Sequence, residues 1–323
     1  VAFELVRHVV WIATGVTLVL AGFQFSGVLY GYLAGMGALF VLAVFRSSIR
    51  FGRPSIDQAR SLLDFSKHNF VSEMGGYVYG WLDVAMIGFF LSQRDVGLYE
   101  YAWRVTVPML FPVISQWSAE EQTKEIEEAI SGSLGAALYL AIPTIFGAIA
   151  VGEQILRHLF ADPYAAASLV LVVLTVEKAF QVVRNVFGPA LHGLDRPDLT
   201  ARATALTLLV NVALNVLLIP RFGILGAAVA TMGSVVTSTL LHGAYLSAEV
   251  DIDVPLRPLF WFTASGAVMS ACLLGLQSVV AIDSLEIVSG AVALGAVIYL
   301  MLTVAIPDIR EDILRPGFEA IRS

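Results

Sequence analysis

Charge is what this sequence has least of. Only 14% of its 323 residues are charged and 58% are hydrophobic, where a soluble domain carries about 25% charged residues. In water such a chain would expose broad apolar patches and aggregate, which excludes a soluble enzyme, a secreted disulfide scaffold and a disordered regulator. Cysteine is nearly absent: Cys272 stands alone, so there is no internal disulfide and no multi-cysteine metal centre. The histidines His8, His68, His158, His192 and His242 lie far apart, without the paired spacing of a metal site. No P-loop or dinucleotide fingerprint occurs, and neither cofactor nor metal is expected. Lysine is also scarce, with Lys67, Lys124 and Lys178 the only three among 19 cations. The net charge of −7 leaves no basic surface for nucleic acid. Arginine in place of lysine, with acidic loops, hints at a high-salt habitat.

What is present is apolar sequence in long runs. A membrane-spanning helix needs about 20 mostly apolar residues, and ten segments qualify: 9–24, 26–45, 69–91, 98–117, 131–151, 164–188, 201–219, 223–245, 258–278 and 287–306. They are too long for barrel strands and lack two-residue alternation. The expected fold is all-α, a polytopic helical bundle in the cell membrane. The loop 46–68 carries Arg46, Arg50, Arg53, Arg60 and Lys67, which makes it cytoplasmic. Alternating from there puts 13 cations inside and 3 outside, with Arg104, Lys178 and Arg184 within spans. Ile56, Ala59 and Leu63 at helical spacing suggest a short interfacial helix in that loop.

An internal repeat is visible. Residues 27–37 read GVLYGYLAGMG and residues 223–233 read GILGAAVATMG, with Gly27, Leu29, Ala34, Met36 and Gly37 matched. The copies lie six spans apart, so the repeats are parallel and two lobes are expected, as in several transporter folds. The arithmetic assigns 1–45 to the last two helices of an N-terminal lobe, 46–68 to a basic cytoplasmic linker, 69–245 to a six-helix C-terminal lobe and 258–306 to an additional helix pair. Four helices are expected upstream of Val1.

Several runs carry a resemblance. Trp81-Leu-Asp83-Val-Ala-Met-Ile-Gly88 with Val96-Gly-Leu-Tyr99-Glu-Tyr-Ala102-Trp-Arg104 resembles the seventh and eighth helices of polysaccharide flippases of the multidrug/oligosaccharidyl-lipid/polysaccharide exporter superfamily. Asn211-Val-Ala-Leu-Asn215 through Pro220-Arg-Phe-Gly223 to Gly226-Ala-Ala228 resembles their eleventh-to-twelfth connection, and Ile155-Leu-Arg-His-Leu-Phe160 before Tyr164 their ninth-to-tenth loop. The resemblance implies two six-helix lobes around a cavity, two further helices, and the flipping of a polyprenyl- or dolichyl-linked oligosaccharide among membrane lipids, without enzymatic chemistry. It also implies that cations on the eighth helix face the cavity.

Charges within spans are costly and mark function. Arg104, Arg184 and Lys178 are the candidate substrate-binding residues, because guanidinium and ammonium groups suit a phosphate. Asp83, Glu177, Glu100 and Glu73 are the candidates for cavity lining or ion coupling, with H+ or Na+ as the coupling ion. Glu73, Gly76, Gly80 and Asp83 share one helix face; Glu100 and Arg104 pair at i, i+4; Glu177, Gln181, Arg184 and Gly188 form a polar stripe. Glu177 and Lys178 are neighbours, which are not expected to face each other. Asn211 and Asn215 are expected to hydrogen-bond across helices. The alternative function is an ion-coupled exporter of small molecules in the same fold. A membrane glycosyltransferase would need a large outer loop with catalytic acids, and the outer loops are short.

Overall fold

The computed structural model describes residues 2–46, 56, 60, 80–106, 123–194, 196–252 and 254–310, and every regular element among them is helical. In chain order these are α1 (Ala2–Leu18), α2 (Gln24–Arg46), α3 (Gly80–Phe90), α4 (Gln93–Thr106), α5 (Thr123–Leu159), α6 (Ser168–Gly193), α7 (Pro197–Leu246), α8 (Leu256–Gln277) and α9 (Leu285–Val304), with a last turn at Pro307–Ile309. Six helical stretches among the described residues are long and apolar enough to cross a membrane. In such helices every backbone polar group is bonded within its own segment, which is the condition for lying in hydrocarbon. The chain divides into two compact units, 1–67 and 68–323.

The first unit contains the α1–α2 hairpin. A π-helical turn, Val19–Phe23, reverses the chain, with Gly22 at φ 94° and Gln24 at φ 47°. Gly27, Gly31 and Gly35 on α2 then lie against α1. A Cβ on Gly31 would sit 2.5 Å from the Gly15 Cα, and one on Gly35 2.7 Å from the Arg7 carbonyl oxygen. Glycine at this four-residue spacing lets two backbones touch, which is how helices gain packing energy in a solvent as apolar as themselves.

In the second unit α7 is a hairpin of the same kind. Its arms, 197–222 and 224–246, meet at Gly223, the one residue inside it with non-helical dihedrals. Gly226 abuts the Leu218 carbonyl group, and Gly233 meets the Leu214 side chain. Gln24 (φ 47°, ψ −130°) and Gly223 (φ 59°, ψ −139°) have nearly the same backbone conformation, and Gly27 and Gly226 make the equivalent close approach three residues later. The two hairpins therefore correspond with Gln24 opposite Gly223. The sequence match had set Gly27 there, three residues away, because small apolar residues recur too often along such helices to fix a register.

The α3–α4 turn is closed by a reciprocal cap. The Ser92 hydroxyl and amide donate to Asp95 Oδ2 at 2.6 and 3.0 Å, and the Asp95 amide returns a bond to Ser92 Oγ at 3.4 Å. These bonds hold the Asp95 carboxyl below its usual range. Tyr99 and Ala102 of α4 pack with Leu156 of α5, Leu171 and Leu174 of α6 and Ile219 of α7. The α8–α9 pair docks on α5: Tyr299 donates to the Tyr139 carbonyl at 3.0 Å, and Gln277 Nε2 to that of Ala150 at 2.6 Å. Gly266 makes room for Phe146.

Candidate functional site

Three groups of polar side chains meet around α4. The first centres on Asp83 of α3, which is 8% exposed. Its Oδ2 accepts from the Tyr99 hydroxyl at 3.0 Å and the Thr231 hydroxyl at 2.5 Å. Its Oδ1 accepts from Asn215 Nδ2 at 2.9 Å, with Asn211 Nδ2 at 3.5 Å. Asn215 also donates to Asn211 Oδ1, and Asn211 to the Ser234 hydroxyl. The donors come from α4 and both arms of α7, and each is neutral. The result is a buried carboxylate surrounded by dipoles. Ser234 and Thr231 are also buried. Asn215 Oδ1 is buried with no hydrogen-bond partner.

The second group lies on α6. Glu177 and Lys178 are almost wholly buried, with Lys178 Nζ 3.0 Å from Glu177 Oε2. Nζ also donates to Gln181 Oε1 at 2.8 Å and stands over the Trp103 ring of α4, 5.4 Å from its centroid. The expectation that these neighbours would not face each other is corrected. The spacing rule describes Cβ directions, and the four-carbon lysine stem is long enough to turn its ammonium back. Arg184, a turn and a half further, is half-buried and donates to Asn185 Oδ1 at 3.3 Å.

The third group is Glu100 and Arg104. Their charges are 3.7 Å apart, but the Arg104 side chain is 60% exposed. Its guanidinium lies over the Tyr101 ring at 5.4 Å, and Tyr101 is wedged against Phe160 and Tyr164. At 1.5 Å per residue Arg104 is roughly 9 Å into the apolar segment 98–117. An exposed cation at such depth faces water or protein rather than lipid.

Of the candidate residues, Asp83, Glu177, Lys178, Glu100 and Arg104 thus gather about α4, where Tyr99 and Trp103, one turn apart, reach the first two groups. Glu73 lies outside the described residues. Sequence reasoning did not find Tyr99 or Trp103. Asn211 and Asn215 were expected to hydrogen-bond across helices and do so, but nothing in the sequence showed that they converge with Thr231 on Asp83. A pair of intramembrane asparagines at i, i+4 opposite a lone aspartate was the available signal.

Beside α4, between α5, α6, α8 and α9, is a cavity of about 530 Å³. Its walls are apolar, among them Val105, Val151, Leu171, Met269, Leu273 and Val292. Val105, which lines it, follows Arg104 in the chain, while the Arg104 guanidinium itself lies over Tyr101, outside the cavity lining.

A helical bundle with six membrane-length apolar stretches among its described residues, and with buried polar and charged groups gathered around one helix, is a multi-pass membrane protein. The family profile described as "Polysaccharide biosynthesis protein" matches residues 1–169, and that described as "Lipid II flippase MurJ" matches residues 105–302. The chain belongs to this family of polysaccharide-biosynthesis and flippase proteins. It is 38% identical over 318 residues to the probable low-salt glycan biosynthesis flippase Agl15 of Haloferax volcanii, covering 95% of this chain and 67% of that protein. It is 30% identical to the probable flippase AglR of the same organism, covering 77% of this chain and 55% of AglR. Its fold is that of a lipid II flippase MurJ solved in an inward closed conformation, with a TM-score of 0.76 at 15% identity, over 93% of this chain and 65% of that one.

Proposed function

We propose that the protein flips a lipid-linked oligosaccharide across the cell membrane, and that a monovalent cation bound at Asp83 drives the cycle. The names of the flippase relatives support the substrate class. The observation that carries it to this chain's own residues is the exposed Arg104, paired with Glu100 on the helix whose next residue, Val105, lines the apolar cavity. A polyprenyl- or dolichyl-linked oligosaccharide joins a long apolar tail to a sugar through phosphate. Phosphate cannot cross hydrocarbon unaided, and a planar guanidinium offers it a bidentate partner. Glu100 holds the guanidinium when the substrate is absent, and phosphate competes for it. The apolar cavity is suited to the part of the tail nearest the phosphate.

Coupling is proposed at Asp83 because a buried charge is costly unless paired, and its partners among the described residues are all neutral. A sodium ion or proton neutralises it. The surplus acceptor of Asn215 supports a metal ion in particular, because turning that amide over directs its oxygen to the carboxylate and supplies a second oxygen ligand. The test is genetic. Cells lacking the gene should build the lipid-linked glycan yet fail to display it, and the intermediate should accumulate facing the cytoplasm. Normal surface glycan in such cells, with no second flippase gene active, would remove the proposal.

A further inference from the structure

Two buried carboxylates lie beside α4, and they are treated differently. Among the described residues, Asp83 has only neutral partners. Glu177 has an ammonium from its own chain at 3.0 Å.

We propose that Lys178 is a built-in counter-cation, occupying beside Glu177 the place that a second dissociable cation would otherwise take, so that the protein binds one coupling ion instead of two. The inference rests on reading Asp83 as the coupling site. The surroundings of Nζ suit a free monovalent cation: a carboxylate oxygen at 3.0 Å, an amide oxygen at 2.8 Å from Gln181, and the face of the Trp103 indole at 5.4 Å. Carboxylate and amide oxygens are ligands for hard cations, and an indole face attracts them. Glu177 Oε2 is held by the ion pair with Nζ. Lys178 is 3% exposed at its side chain and covered by Trp103, so in this conformation it is closed to a phosphate headgroup. That moves it from substrate contact, where the sequence had placed it, to charge compensation.

The tethered ammonium cannot leave, so Glu177 stays neutralised throughout the cycle while Asp83 alternates between filled and empty. One charge is then coupled to each turnover.

The experiment is equilibrium binding of radioactive sodium to the whole protein in lipid nanodiscs, at alkaline pH and constant ionic strength, repeated with rubidium. Wild type should bind one ion per chain, Asp83→Asn none, Lys178→Gln two, and the double variant Glu177→Gln/Lys178→Gln one again. The same number of ions on a folded Lys178→Gln as on wild type, with both sodium and rubidium, overturns the inference. If wild type binds none while Lys178→Gln binds one, the coupling reading of Asp83 fails and the counter-cation inference stands. Should Lys178→Gln not fold, Lys178→Ala purified with propylammonium replaces it. Its thermal midpoint should rise with propylammonium or sodium well beyond any rise in wild type, and an equal response in both proteins overturns the inference.

Discussion

Replacing Asp83 by asparagine keeps the size of the side chain and one of its acceptors but removes the charge. If the buried carboxylate is a cation site, the wild-type protein is stabilised by the ion and the variant is not. A ligand at a hundred times its dissociation constant stabilises the state that binds it by about 2.7 kcal/mol. At roughly 2 °C per kcal/mol, which suits a chain of this length, the thermal midpoint rises by about 5 °C. In choline, without a coupling ion, the order reverses or the gap closes, because asparagine avoids the cost of a bare buried charge. Asp83→Leu separates this effect from simple packing. It strands the donors of Tyr99, Thr231 and Asn215, which retain second partners: Thr231 for Tyr99, the Ala227 carbonyl for Thr231 and Asn211 for Asn215. Its cost therefore falls at the low end of 1–3 kcal/mol per group, about 3–5 kcal/mol in all, in sodium and choline alike. Thermal unfolding of the purified protein in both salts at equal ionic strength reads all three proteins. A sodium-dependent rise in Asp83→Asn equal to that of wild type would refute the reasoning.

Other outcomes follow from single residues. Gln24→Gly should stabilise the protein by about 1 kcal/mol and Gly223→Ala should destabilise it by about 1–2 kcal/mol, because both positions hold a positive φ that only glycine adopts freely; thermal unfolding checks both signs. Ser92→Ala should cost about 1 kcal/mol through loss of the α4 cap. The Asp95 carboxyl is held below its ordinary value, near 3.8, by the Ser92 bonds, so its stabilisation is complete above that value and lost as pH falls through the lowered folded-state one; the cost of Ser92→Ala should fade over that acid range in a pH series of unfolding curves. Arg104→Ala should abolish glycan export with normal protein level in the membrane, and Arg104→Lys should retain part, since the charge stays and the planar fork goes. Arg184→Ala should be milder than Arg104→Ala. Complementation of a flippase-null strain, with an immunoblot for protein level, compares them.

The fold was largely legible because hydrocarbon imposes one solution on long apolar runs. Each described helix lies on a segment visible in the sequence, and the i, i+4 pairing of Glu100 with Arg104 needed only helical spacing. The Asp83 cluster was not legible as a unit. Its contacts join residues 16 to 148 positions apart, and nothing in local periodicity says which face of one helix meets which face of another. The Glu177–Lys178 contact is hidden for the opposite reason: backbone direction points the two neighbours apart, and only the length of the lysine stem brings Nζ back to the carboxylate. The repeat was recognised in kind but set three residues out of register, since Gly27 has matching small residues on both sides while the turn geometry at Gln24 leaves no mark in a one-letter comparison.

The central claim is cation-driven movement of a lipid-linked oligosaccharide, and reconstitution tests it most directly. The whole protein is placed in liposomes with a polyprenyl-phosphate-linked oligosaccharide carrying a label on its sugar, and exposure of the sugar to a membrane-impermeant glycosidase is followed over time. The account predicts slow exposure without a gradient, faster exposure when a sodium or proton gradient is imposed, and loss of the gradient effect in Asp83→Asn and of all flipping in Arg104→Ala. Exposure in folded wild-type proteoliposomes no faster than in protein-free liposomes, under either gradient, would contradict it.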